Sequence, residues 1–155
     1  MSASTIRVDS PAALAGAVGE KATGEWFTIE QDRVDAFADA TEDHQWIHLD
    51  AERAASGPFG ATIAHGFLTL SLLPHLAASL VEVGKVAMAM NYGMDKVRFL
   101  NPVVTGSRVR ATTEITGAET TGLGVRLATT VTVEIEGAPK PALVAVTLTL
   151  YVPEA

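Results

Sequence analysis

The chain has 155 residues, enough for a substantial buried core, which predicts a single domain over residues 1–155. Its formal net charge of −7 argues against general nucleic-acid binding, because affinity for phosphates depends on Lys and Arg. The sequence contains no Cys for a disulfide framework, and no apolar run reaches the roughly 20 residues that a membrane helix needs.

The start of the chain carries no targeting pattern. Residues 1–8 have neither the basic start nor the apolar block of a signal peptide. We therefore expect a soluble protein of the cytoplasm that does not bind membranes. Residues 1–10 are expected to form a flexible N-terminal tail.

The first half of the chain carries three helical patterns and one strand pattern. These are a short helix over residues 11–18, a strand over 25–29, a helix from about 31 through 40, and a short helix over 51–55. Thr28 and Gln31 have the spacing of a capping box, which predicts the start of the third element. Asp50 is placed to cap the last of these helices, and the Gly- and Pro-containing residues 56–60 predict a loop.

A long apolar run begins at His65. Leucine and other apolar residues occupy most sides of the helical pattern through about residue 83, which predicts a helix that other elements surround. Pro74 is expected to kink this helix, because proline lacks the N–H that a helix interior uses.

From residue 86 onward, alternating apolar residues and β-branched side chains dominate. They predict four long strands, over residues 86–100, 107–116, 124–136 and 143–152. Turn signals between them are typical of an antiparallel meander, which the strand near residue 25 is expected to join. Helices followed by strands predict an α+β fold, with one buried helix against a long, curved antiparallel sheet.

The segment from Asp43 to His48 sets a carboxylate and an imidazole five positions apart, directly after a helical pattern. With reference pKa values near 4 and 6.5, Asp and His exchange protons readily near neutral pH, so together they could activate a water molecule. His65 and Gly66 open the apolar helix, and the N–H groups of a helix start suit a polarised carbonyl oxygen. Asp43 could equally be a loop or cap residue, and His48 a hydrogen-bonded, partly buried histidine.

A metal site is the alternative chemistry for this segment. His44 and His48 are four positions apart, the spacing of two ligands on one helix face, and Asp43, Asp50 and His65 are near in sequence. The chain lacks the His-Glu-x-x-His arrangement, however, and the apolar Trp46 between the two histidines resembles an anchor rather than an open metal face. We therefore expect no bound metal.

Two motifs carry a resemblance to a known family. The first is Asp-His-Gln-Trp-Ile-His-Leu-Asp at residues 43–50, and the second is Ile-Ala-His-Gly-Phe-Leu-Thr-Leu-Ser at residues 63–71, with Pro-Phe-Gly at residues 58–60 between them. In this order they resemble the MaoC-like dehydratases, and more closely the branch that includes nodulation protein N and the bacterial (R)-specific enoyl-CoA hydratases. Gln45 and Trp46 stand where the family pattern usually has Asn and Pro, a departure that matches the nodulation-protein branch.

The resemblance implies a hot-dog fold, in which the sheet wraps round a central helix, and a homodimer with active sites near the interface. It implies Asp43 and His48 as the catalytic pair and the backbone N–H of Gly66 as the oxyanion donor. The implied reaction is reversible hydration of a trans-2-enoyl thioester, carried by CoA or acyl carrier protein, to the (R)-3-hydroxyacyl product without a cofactor. Water must lose a proton to attack C3, C2 must gain one, and the thioester oxygen carries charge in between.

The roles within the pair and the pocket are less specific. Asp43 is the favoured base, with His48 positioning the water and relaying the proton, although these roles could be reversed. Trp46, Phe59, His65 and Phe67 are candidates to contact the acyl chain, but such aromatic residues are more often core, and His65 is expected to be structural.

Two other functions are compatible with the same fold. A hot-dog acyl-CoA thioesterase would use a carboxylate-activated water to cleave the thioester, and a non-catalytic protein would bind acyl thioesters without turnover. Such thioesterases generally lack the His that here follows the acid. The pair of Asp43 and His48 therefore favours hydration over both alternatives.

Overall fold

The structure, a computed structural model, describes residues 2–155. Its strands are β1 (Ile6–Val8), β2 (Lys21–Thr23), β3 (Phe27–Thr28), β4 (Val81–Val83), β5 (Val86–Phe99), β6 (Arg108–Thr120), β7 (Val125–Ile135) and β8 (Leu143–Pro153). Its helices are α1 (Gln31–Thr41), α2 (Trp46–Leu49), α3 (Ala51–Ala55), α4 (Gly66–Ser71) and α5 (Leu73–Ala77), with a 3-10 helix at Pro11–Ala17. Within residues 2–155, no helix combines the length and the hydropathy that crossing a membrane requires.

Six strands form one antiparallel sheet. Its order is β2-β6-β7-β8-β5, and β3 also pairs with β6. β6, β7 and β8 form the predicted meander. The prediction that β5 also belongs to this meander is wrong. β5 lies at the sheet edge beside β8, so the connection from β5 to β6 passes over β7 and β8. Alternating residues predict that a strand forms, but they do not specify which neighbour it pairs with.

The central helix lies against the inner face of this sheet. β7 alternates between buried and half-buried residues along its whole length, so one of its faces is apolar. Leu68, Leu73 and Leu76 of the helix belong to the same buried cluster as Ile115 and Val131 of the sheet. This packing buries both apolar surfaces at once, as the predicted α+β arrangement requires.

The central helix is shorter than predicted and is interrupted. α4 ends at Ser71, and α5 begins at Leu73 with Pro74 in its first turn, where the missing N–H removes no helical hydrogen bond. The break near Pro74 confirms the expected disturbance. The predicted continuation to about residue 83 is wrong, because the chain leaves α5 and forms β4, which pairs in parallel with β1.

Residues 6–8 differ from the expectation of a flexible tail over residues 1–10, of which Met1 lies outside the described residues. Residues 6–8 form β1, and Ile6 is only 3% exposed. The N–H of Ile6 donates a hydrogen bond of 2.9 Å to the carbonyl of Leu80. Burial of this apolar side chain against the core, together with pairing to β4, holds the segment in place.

Of the two predicted helix caps, one is confirmed. The carboxylate of Asp50 accepts a 2.9 Å hydrogen bond from the N–H of Arg53 at the start of α3. The capping box is wrong, because Thr28 lies in β3 and α1 begins after Glu30. The side chain of Gln31 is therefore available for contacts elsewhere.

Candidate active site

A four-residue helix holds the imidazole of His48. α1 ends at Thr41 and is followed by a loop that leads into α2. The amide nitrogen of Gln31 donates a 2.8 Å hydrogen bond to the carbonyl of His48. Its amide oxygen accepts a 2.7 Å hydrogen bond from the hydroxyl of Thr62. Gln31 thus ties α2 to α1 and to the segment that precedes Ile63.

The imidazole of His48 is 6% exposed, and a backbone carbonyl sets its tautomer. Nδ1 lies 2.7 Å from the carbonyl oxygen of Ile63. Because that oxygen can only accept, Nδ1 carries the hydrogen and Nε2 keeps a free lone pair. Burial lowers the pKa of His48, while the hydrogen bond to Ile63 acts in the opposite direction. At neutral pH His48 is therefore a neutral group that can accept a proton at Nε2.

Asp43 lies in the exposed loop before α2, close to the same imidazole. Its carboxylate oxygen and one ring nitrogen each of His48 and His65 all lie within 4.8 Å of one another. One water molecule can bridge two polar atoms at such a separation through two hydrogen bonds of about 2.8 Å. The structure thus brings the predicted pair together around a space that suits a single water.

A second imidazole packs on the first. The ring of His65 stacks on that of His48 with centroids 3.7 Å apart and 23° between the planes, and it also contacts Phe37. Nε2 of His65 donates a 3.0 Å hydrogen bond to the carbonyl of Asp43. Within the described residues, its Nδ1 is buried without a hydrogen-bond partner. His65 is therefore a buried link between the backbone of Asp43 and the ring of His48.

The stacked rings disfavour a metal ion shared by Asp43, His48 and His65. A histidine binds a metal at about 2.1 Å along a lone pair that lies in the plane of its ring. Because the two ring planes differ by only 23°, these lone pairs run side by side and do not converge on one ion. His44, the other candidate ligand, pairs with Asp39 of α1 at 3.0 Å.

A cavity of about 390 Å³ opens beside His48, and Gly66, Thr69, Phe99 and Asn101 are among the residues that line it. Gly66 is the first residue of α4, so its N–H has no carbonyl of that helix to bond. A Cβ at this position would lie 3.1 Å from the ring of Phe99. Position 66 therefore allows a ligand to approach the backbone but is tight for a side chain.

The three aromatic candidates for the acyl pocket lie outside the lining of this cavity. The indole of Trp46 packs under the guanidinium of Arg53, which lies 4.2 Å from the ring centre. Phe59 is exposed on the loop after α3. Phe67 is 68% exposed, and its ring meets Phe99 edge-on with centroids 5.8 Å apart. Phe67 thus contacts the cavity lining through the ring of Phe99.

Three contributors to the site have no signal in the local sequence. Gln31 holds the backbone of His48, the carbonyl of Ile63 sets the tautomer, and Phe99 lies over Gly66. Gln31 resembles a capping residue in sequence, and Ile63 contributes only its backbone. Phe99 reaches the site because β5 lies at the sheet edge and ends beside α4.

Comparison with known proteins gives this arrangement a context. The family model described as the MaoC like domain matches residues 14–137, which is most of the chain. The chain belongs to the MaoC-like domain family. It is 56% identical over 146 residues to 3-hydroxyacyl-thioester dehydratase Z of Mycobacterium tuberculosis (strain ATCC 25618 / H37Rv), covering 93% of this chain and 97% of that one. It is 48% identical over 134 residues to nodulation protein N of Rhizobium leguminosarum bv. viciae, covering 84% and 83%.

Solved structures show the same fold. The unliganded (R)-hydratase PhaJ1 from Pseudomonas aeruginosa has a TM-score of 0.68 at 28% identity, covering 89% of this chain and 83% of that one. The (R)-hydratase from A. caviae involved in PHA biosynthesis has a TM-score of 0.67 at 26% identity, covering 86% and 95%. These likenesses confirm the α+β hot-dog fold, and the sequence relatives confirm the resemblance to MaoC-like dehydratases and nodulation protein N.

Proposed function

We propose that this MaoC-like protein adds water reversibly across the double bond of trans-2-enoyl thioesters to give (R)-3-hydroxyacyl thioesters. The observation that carries the proposal is that His48 and Gly66 line one cavity, while a carboxylate oxygen of Asp43, which is outside that lining, lies within 4.8 Å of a ring nitrogen of His48. The names of the relatives support it, since one is a 3-hydroxyacyl-thioester dehydratase and two structural neighbours are (R)-hydratases.

The proposed mechanism uses one water held between two acceptors. The water donates one hydrogen bond to the Asp43 carboxylate and one to Nε2 of His48, and its oxygen attacks C3. The π electrons move toward C2 and the thioester oxygen, where the N–H of Gly66 stabilises the developing enolate charge. The proton taken from water then returns to C2 on the same face, so that one hydroxyl and one hydrogen have been added.

The free lone pair of Nε2 favours His48 as the proton acceptor, the reverse of the role preferred from the sequence. By reference pKa values, near 6.5 against near 4, neutral imidazole is a stronger base than carboxylate. Burial makes His48 a weaker base than a free imidazole, because it lowers the pKa of His48. In this assignment Asp43 orients the water and stabilises the imidazolium that forms.

The substrate is proposed to be a thioester of CoA or of acyl carrier protein, and a cytoplasmic location stays a prediction. Hydration transfers no electrons between substrate and an external partner, so the proposed steps need no redox cofactor. Each proton movement is assigned to a side chain of this chain.

Turnover of crotonyl-CoA tests the proposed function directly. We expect the absorbance of the conjugated thioester to fall without release of free CoA thiol. Delivery of water and proton to one face gives one enantiomer, and the proposed (R) product should resist an (S)-specific 3-hydroxyacyl-CoA dehydrogenase. Thiol release would instead indicate a thioesterase. Binding of short and long enoyl-CoAs without hydration of any would indicate a non-catalytic binding protein.

We also propose that two copies of the chain join through β5. This strand of 14 residues forms one edge of the sheet, and its exposed side chains include Met88, Met90, Tyr92 and Met94. A long apolar edge invites pairing with another strand. Phe99 at the end of β5 lies over Gly66, so a partner joined at this edge would lie next to the cavity.

The dimer predicts a defined change in mass. Sedimentation equilibrium should return about twice the chain mass of 16.2 kDa. Met90→Asp should shift the protein toward the monomer, because it places a charge in the proposed interface. Leu123→Asp is the matched control, since Leu123 is an exposed apolar residue in the turn between β6 and β7. A wild-type protein that sediments as a monomer, or a Met90 variant with the mass of the control, would contradict this arrangement.

A further inference from the structure

His65 contacts both members of the proposed catalytic pair without lining the cavity. We propose that His65 is a positioning residue that holds the backbone of Asp43 and keeps His48 in its neutral form with the hydrogen on Nδ1. This inference rests on the proposed function, in which His48 accepts a proton from water. It assigns His65 a role distinct from substrate contact.

The first part of the role is a hydrogen bond. Nε2 of His65 lies 3.0 Å from the carbonyl oxygen of Asp43, which can only accept. The hydrogen of neutral His65 is therefore on Nε2. Asp43 is exposed in a loop, so this bond from a side chain that is 2% exposed anchors an otherwise solvent-facing residue.

The second part of the role is electrostatic. With the ring centroids 3.7 Å apart, protonating both imidazoles would place two positive charges in close contact in a buried site. A positive charge on either ring therefore opposes protonation of the other, which favours the neutral form of His48 whose Nε2 accepts a proton from water.

The groups around His48 act on its pKa in both directions. Burial and the neighbouring His65 lower the pKa of His48, whereas the carbonyl of Ile63 and the Asp43 carboxylate raise it. From α1, the carbonyl of His48 meets the neutral amide of Gln31, whose nitrogen also donates a hydrogen bond to the exposed Asp35.

The remaining neighbours of His48 contribute no buried charge. α3 and its cap carry Asp50, Glu52 and Arg53 at exposed positions. The residues that line the cavity with His48 include Phe99 and Asn101, which are uncharged. His65 is therefore a buried imidazole that packs directly against His48.

Two variants of His65 separate its two parts. His65→Gln places an amide N–H near the position of Nε2 and removes the ring, whereas His65→Phe keeps a ring for stacking and removes the donor. Neither residue can take up a proton, so the pKa of His48 should rise in both. Because only neutral His48 accepts a proton, the acidic limb of kcat/KM should move to higher pH in both variants. Above that limb, His65→Phe should lose about tenfold more kcat than His65→Gln, the scale of one hydrogen bond.

Nitrogen-15 spectra of the imidazoles supply a readout that does not depend on turnover. With His48 assigned by comparison with His48→Gln, the wild-type protein at neutral pH should show its hydrogen on Nδ1. The pKa of His48 measured this way should rise in both His65 variants. A hydrogen on Nε2 of His48, or an unchanged His48 pKa and acidic limb in both variants, overturns the role of His65. Loss of the proposed function would appear separately, as a wild-type protein that shows this tautomer yet hydrates no enoyl-CoA.

Discussion

Asp43→Asn and His48→Gln should each lower kcat/KM for crotonyl-CoA by about 10² or more, the usual scale for loss of a positioned acid or base. The amide introduced at position 43 would offer a neutral oxygen in place of the carboxylate that orients water and stabilises imidazolium. The amide introduced at position 48 would lack a basic nitrogen at the place of Nε2. Both substitutions nearly preserve the size of the side chain, so the fold should persist, and steady-state hydration rates measure the loss.

The structure offers a matched control for this pair. Asp39 and His44 form another Asp–His pair, 3.0 Å apart, but His44, unlike His48, is exposed and does not line the cavity. Asp39→Asn and His44→Gln should therefore leave hydration within about twofold of wild type, as expected for surface changes away from the site. Near-normal turnover in Asp43→Asn or His48→Gln would overturn the assignment of the pair.

The double variant tests whether the two groups act on one water. If they do, loss of either group already disables the water, and loss of the second group lowers turnover little further. The fold-loss in the double variant should therefore be much smaller than the product of the two single fold-losses. Independent groups would give losses that multiply. A product of about 10⁴ or more would therefore contradict the single-water mechanism, even if both residues proved essential.

The sequence predicts elements better than it predicts their neighbours. Alternation locates β6 and β7 to within a few residues, because one face of each is buried against the core. It does not place β5 at the sheet edge, since pairing order depends on contacts distant in sequence. The sequence does not predict the strand at residues 6–8 either. β1 is too short to show an alternating pattern, and its partner β4 lies far along the chain.

The residues of the proposed site can be predicted from local motifs, but the contacts that position them cannot. Asp43, His48 and Gly66 belong to two local motifs, and the structure brings both motifs to one place. The groups that set their chemistry lie elsewhere in the sequence or in the backbone. Gln31 reaches His48 from α1, and the carbonyl of Ile63 fixes its tautomer. Neither contact has a residue pattern of its own, because one depends on how two helices pack and the other on backbone geometry.

Gly66→Pro should lower kcat for crotonyl-CoA by about 10²–10³, the cost of removing one oxyanion donor. Proline lacks the N–H that is proposed to bind the thioester oxygen. The local backbone is compatible with it, since Gly66 is the first residue of α4, where a missing N–H removes no helical bond. His65 before it has φ −58° and ψ 137°, the extended conformation that a residue before proline favours.

Gly66→Ala is the matched control, because it adds a carbon but keeps the N–H. Its Cβ would lie 3.1 Å from the ring of Phe99, so the ring or the substrate must shift. We expect a loss in kcat/KM of about tenfold, the scale for modest misplacement of a substrate, which Phe99→Ala in the same chain should partly relieve. Proline adds a Cβ at the same place, so crowding is common to both variants.

The comparison of kcat with KM then separates crowding from charge stabilisation. Crowding acts on the bound substrate before reaction, so Gly66→Ala should act mainly through KM. Charge on the thioester oxygen develops in the transition state, so the additional loss in Gly66→Pro should appear in kcat. Equal values of kcat in the two folded variants would mean that the N–H of Gly66 contributes nothing to the reaction. The oxyanion role would then pass to another donor beside the cavity.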